Sequence, residues 1–180
     1  LVHLNGRPTL VLVRCHLFFL AERRATTSCR SSSSAASDVA QRQAPNQADV
    51  RRFFCGAYKK HHANQPLEAI ETLAAMWMDL HPEYAGEFAD EAGALTTLVA
   101  GGNTSAGATE SPFLHVSMHL SVSEQCSIDQ PPGIRQAVEL LAAKKGDLHA
   151  AHHMVMDCLG RMVWESQRSG RPPDGQAYID

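Results

Sequence analysis

SPFLHVSMHLSVSEQCSIDQPPGIR, residues 111–135, decides the fold class. Ser111-Pro112 has the chemistry of a helix start. The serine hydroxyl offers a cap acceptor, and proline is tolerated at the first helical position because an N–H there would have no intrahelical partner. Phe113, Leu114, Val116, Met118, Leu120 and Val122 then make a helix apolar over much of its circumference, which predicts a buried helix ending near Asp129. Gln130-Pro131-Pro132-Gly133 must interrupt it, because two prolines fix φ and remove two donors.

The same rules extend outward in both directions. Ile134, Ala137, Val138, Leu141 and Ala142 share a face from Ile134 to Lys145, with Lys144-Lys145 at the negative end of the helix dipole and Gly146 as terminator. Asp147 is placed to cap a long helix over Leu148 to Ser169, closed by Gly170 and Pro172-Pro173. Upstream, Val50, Phe53, Phe54, Ala57 and Tyr58 recur at helical spacing after a candidate cap at Asp49. Pro66 sits where a first helical turn tolerates proline, and Leu67, Ile70, Leu73, Ala74, Trp77 and Met78 continue a second stripe that stops at His81-Pro82. A shorter helix is expected from about Glu83, and the Gly, Ser, Thr and Asn content of residues 100–111 reads as a loop. The expectation is an all-α protein, a compact bundle of about five helices. Trp77 and Trp164 are both expected to pack the core.

Charge divides the chain. Residues 1–45 carry six arginines and two acids, a balance of +4, whereas residues 46–180 carry ten Lys/Arg and seventeen acids, a balance of -7. The first part holds TLVLVRCHLFFL at 9–20, too short to span a bilayer, and then six serines and two threonines among residues 26–37. Such a composition cannot bury a core, so residues 1–45 are expected to be a disordered extension, with a targeting segment the alternative because Ser34-Ala35-Ala36 follows the apolar run. Residues 46–180 are then the helical domain. An acidic domain without a basic stripe is poorly suited to neutralising phosphates, so no nucleic-acid partner is expected, nor is a membrane span. The five cysteines, Cys15, Cys29, Cys55, Cys126 and Cys158, show no C-x-x-C spacing and support neither a disulfide framework nor a zinc ribbon, which makes a reducing cytoplasm the expected location.

Histidine carries the chemical interest. His115 and His119 lie four apart on one expected helix, and His149 and His153 four apart on another, so each pair projects from one helix face. Two antiparallel or crossing helices would present four imidazoles to one point, as zinc or a non-haem iron or manganese ion requires. His152 offers an i, i+3 alternative to His153. Asp157 extends the second row, and Glu124 and Asp129 follow the first, so a carboxylate can complete the shell or orient a ring. The competing account is a buried hydrogen-bond network that ties helices together without metal. Under it the protein is a non-enzymatic structural or interaction module, with Gln130, Pro131, Pro132, Gly133 and Arg135 as the partner surface and a protein partner or second copy as its ligand. Phosphate-loop, dinucleotide-binding, hydrolase-elbow and H-E-x-x-H motifs are absent, so no catalytic residue is assigned.

SPFLHVSMHLSVSEQCSIDQPPGIR at 111–135 and GDLHAAHHMVMDCLGRMVWESQRSGRPPDGQAY at 146–178, with RRFFCGAYKKH at 51–61, PLEAIE at 66–71 and HPEY at 81–84, resemble an uncharacterised bacterial family known as domain of unknown function 1841. The resemblance spans about residues 46–180. It implies a small cytoplasmic helical protein and places the family's histidines on His115, His119, His149 and His153. Arg161 stands where the family usually has an acid, one turn beyond Asp157, and Ser123 stands where a charged residue is common.

Overall fold

The computed structural model describes residues 47–99 and 111–179. The expected disordered or targeting extension at 1–45 and all but Ser111 of the expected loop at 100–111 lie outside the described residues. Those residues form eight α-helices and one short 3-10 turn, with no strand among them. The helices are α1 (Gln47–His62), α2 (Ala69–Asp79), α3 (Ala85–Ala89), α4 (Glu91–Val99), α5 (Pro112–Ile128), α6 (Ile134–Lys145), α7 (Leu148–Ser169) and α8 (Gly175–Ile179), with the 3-10 turn at Pro82–Tyr84 between α2 and α3. None is long and apolar enough to cross a membrane.

The all-α expectation holds, but the count of about five helices is too low. The single short helix expected from Glu83 is three pieces, because Asp90 leaves helical geometry and its Oδ1 accepts from the Gly93 N–H at 2.9 Å, restarting the chain as α4. A side chain at 93 would clash with the Asp90 carboxylate. The helix α8 was missed because five residues are too few to display a period. It starts where Asp174 Oδ1 accepts from the N–H groups of Gln176 and Ala177, at 3.0 and 3.2 Å. Two helix starts also shift. Asp49 sits inside α1 and pairs with Arg52 at 3.2 Å, and α2 begins at Ala69 because Glu68 and Glu71 form a capping box, with the Glu68 N–H donating to Glu71 Oε2 at 2.9 Å.

The chain divides into two compact units, with the boundary inside α5 between Leu120 and Ser121. In the first unit α1 packs against α2, α3 and α4. Its core gathers Phe54, Trp77, Phe88 and Phe113 with Ala57, Ala74 and Val116, all within a few per cent of full burial. Each large side chain so buried contributes roughly 1.5–3 kcal/mol relative to exposure. Arg51 is buried among them, donating to the Ala94 carbonyl and lying 5.1 Å from the Phe113 ring centroid.

In the second unit α6 packs along α7, with α8 against α7. Val122, Ile134, Val138, Ala151, Val155, Met156, Leu159, Val163 and Tyr178 are buried apolar residues of this unit. The expected boundaries of α6 and α7 are those observed. Asp147 caps α7 by accepting from His149 N at 3.1 Å and Ala150 N at 3.0 Å, while Gly146 and Gly170 close α6 and α7 at φ 72° and 67°, where a Cβ would be strained. Trp164 departs from expectation: it is 41% exposed, with the Arg168 guanidinium 5.2 Å from its ring centroid.

Candidate metal centre

Within the first unit three imidazoles converge. His115 and His119 project from successive turns of α5 as their spacing requires, and His81 meets them from the position after the C-cap of α2, where it opens the 3-10 turn. His81 Nε2 lies 3.0 Å from His119 Nε2 and 3.2 Å from His115 Nε2. One ring nitrogen from each of the three lies within 4.8 Å of the others. For a tetrahedral ion with first-shell Zn–N bonds of about 2.0–2.1 Å, neighbouring ligand nitrogens stand about 3.3 Å apart. The observed contacts lie close to that edge length.

Packing holds these rings in place. His119 is fully buried, with its ring stacked on Trp77 at a centroid distance of 4.2 Å and 17° between planes. His81 is 3% exposed and lies nearly parallel to the Tyr84 ring at 5.5 Å, while its edge meets His115 at 4.5 Å. The second ring nitrogen of His81, Nδ1, is 2.8 Å from Glu83 Oε1. Partial burial acts to raise the Glu83 carboxyl, but the hydrogen bond from His81, a backbone hydrogen bond and the nearby His81 and His115 rings together outweigh it and hold the group below the usual glutamate range. An ionised carboxylate only accepts, so the hydrogen of this contact sits on Nδ1 and a neutral His81 turns its Nε2 lone pair toward His115 and His119.

The three-way contact is poorly served by protons alone. One lone pair on His81 Nε2 accepts one well-directed hydrogen bond, yet two neighbouring Nε2 atoms press on it. A protonated His81 donates from Nε2 to only one of them. A cation between the rings satisfies all three lone pairs at once, which is chemistry that neutral imidazoles supply well.

His149 and His153 lie in the second unit, adjacent on α7 with ring centroids 4.4 Å apart, and both are partly buried. His152 between them is 3% exposed, and burial, reinforced by its two histidine neighbours, pushes its pKa down to about 4. Asp157 and Arg161 are exposed, and Glu124 is partly buried. Asp129 is committed locally: its Oδ1 accepts from Gly133 N at 3.1 Å and Arg135 N at 3.2 Å. Arg135 in turn donates to the last carbonyls of α5, Cys126 O and Ser127 O, both at 2.8 Å. Gln130 and Pro132 remain exposed, and a groove of about 690 Å³ lined by Pro132, Gly133, Ile134 and Leu140 opens beside them.

Sequence reasoning missed His81, Glu83 and the supporting rings of Trp77 and Tyr84. His81 has no partner at helical spacing, so no periodicity rule reaches it. The available signal was HPEY at 81–84, which read as the stop of a helix and as part of the family resemblance, not as a source of a ligand. Cys55 and Cys126 are poor nucleophiles, since burial pushes Cys55 up to about 11 and also raises Cys126.

A family profile described as "Domain of unknown function (DUF1841)" matches residues 46–180. No curated protein and no solved structure matches the chain.

Proposed function

The chain belongs to the family of domain of unknown function 1841, and we propose that its role is to bind a metal ion through the Nε2 atoms of His81, His115 and His119. An all-imidazole set suits zinc or ferrous iron better than manganese, which favours carboxylate and water oxygens. The observation that carries this reading is the contact of His81 Nε2 with two further Nε2 atoms at 3.0 and 3.2 Å in a nearly dry site. Metal analysis of protein purified without a histidine tag tests it. About one zinc or iron per chain is the expected content for a single site. Protein that binds no added Zn2+ or Fe2+, with a melting temperature indifferent to EDTA, rules the site out.

One observation favours a second reading, a protein-interaction module. The groove beside the Gln130-to-Arg135 connector carries Leu140 at 64% exposure. On that reading Leu140→Asp abolishes an association and leaves metal content unchanged, whereas His119→Ala leaves the association intact.

A further inference from the structure

The His81-Pro82-Glu83-Tyr84 segment shows how a residue outside any helical row becomes the centre of the cluster. The helix α2 ends at Asp79 with Leu80 as its C-cap, and His81 takes φ -125° and ψ 63°, outside helical geometry. Pro82 then sets φ for a 3-10 turn, closed by Tyr84 N–H donating to the His81 carbonyl at 3.0 Å. A turn this tight returns the next two side chains to the histidine that opened it. Glu83 Oε1 meets His81 Nδ1 at 2.8 Å, and the Tyr84 ring lies along the His81 ring with 19° between planes. His81 therefore has one nitrogen anchored and one face covered, and Nε2 faces His115 and His119.

We propose that this turn is a ligand-presenting device in which Glu83 is the positioning residue: its carboxylate keeps the proton on His81 Nδ1 and so aims the Nε2 lone pair at the metal. The inference rests on the metal reading above. His115 and His119 need no such device, because a rigid helix sets their separation and their common face. His81 rides a three-residue turn whose backbone alone leaves the ring free to rotate or to exchange tautomers. A carboxylate on the outer nitrogen removes both freedoms, raises the basicity of the inner one and sets a negative charge one ring away from an ion held by neutral ligands. The exposures match the division of labour. His81 is buried, while the Glu83 side chain is 55% exposed, so the carboxylate reaches in from the surface.

Zn2+ affinity of the full chain, measured by competition with a chromophoric chelator, tests this in wild type, Glu83→Gln and Glu83→Ala. The amide oxygen of Gln still accepts from Nδ1–H but carries no charge, so affinity falls about tenfold; Ala removes the acceptor and the loss approaches about 100-fold. The Co2+ absorption spectrum shifts in Glu83→Ala, because the His81 ring is no longer held in one orientation. A purely structural Glu83 lowers the melting temperature of metal-free protein but leaves affinity and spectrum alone. Wild-type affinity and spectrum in both variants overturn the positioning role while leaving the metal site standing. Failure of wild type to bind Zn2+ or Co2+ overturns both. Should Glu83→Ala not fold, the near-isosteric Glu83→Gln at this exposed position decides the matter alone.

Discussion

The chain holds two groups of three histidines built in opposite ways. In the first unit His81, His115 and His119 come from two separate elements, and their Nε2 atoms meet within 3.2 Å of His81. In the second unit His149, His152 and His153 share the opening turns of α7; two of them lie side by side with centroids 4.4 Å apart, and the third is buried and held neutral. From sequence the α7 group looks at least as suited to a ligand as the α5 pair. The difference teaches that an i, i+4 row supplies direction but not convergence. A helix aligns two rings at a separation it fixes, and a third nitrogen reaches the same point only when another segment is packed there.

The sharpest way to break this contrast is at His119. His119→Ala deletes a fully buried ring that Trp77 stacks upon, so it opens a cavity as well as removing a ligand. Unfolding in denaturant with EDTA present is expected to show a loss of about 3 kcal/mol, and metal content falls to background. A variant that kept its ion would move the centre away from the first group.

His152 should produce the next largest effect, through pH alone. Its pKa is lowered from 6.5 to about 4 by burial, so the unfolded chain binds a proton that the folded chain refuses. Its contribution is complete above about pH 6.5 and is lost as pH falls toward 4. Urea unfolding of metal-free protein should lose about 2 kcal/mol between pH 7 and pH 5 through this group, since each pKa unit is worth about 1.4 kcal/mol. His152→Met should remove that share of the pH dependence. If the two proteins lose stability in parallel, His152 is not the acid-sensitive group.

The smallest effect belongs to His149. It is partly buried on the first turn of α7, so His149→Ala should change stability by less than about 0.5 kcal/mol and leave one metal per chain. Loss of the ion in this variant would move the site to the α7 row, and the contrast between the two groups would invert.

Legibility followed the range of the forces involved. The bounds of α6 and α7 were readable because Asp147, Gly146 and Gly170 act on the backbone within a few residues, and the identity of a cap or of a left-handed position is a local property. The split of 83–99 was not, because Asp90 and Gly93 make their break through a side-chain contact inside an otherwise apolar run. Trp164 shows a related limit. Its apolar ring argued for the core, yet it lies on the solvent side of α7 beside Arg168, which an amphipathic residue on a long helix tolerates.

At the site itself the i, i+4 rule correctly placed His115 and His119 on one face of α5, and hydrophobic neighbours on every side marked that helix for burial. These are consequences of a repeating backbone, and the order of residues is enough to derive them. The meeting of His81 with His115 and His119, across 34 and 38 positions of chain, has no such derivation. It depends on where α2 ends, on Trp77 and Phe113 filling the space around α5, and on Glu83 and Tyr84 returning to the ring that precedes them. Ring nitrogens brought within 3.2 Å are a property of how side chains fill volume, and only the packed structure decides that.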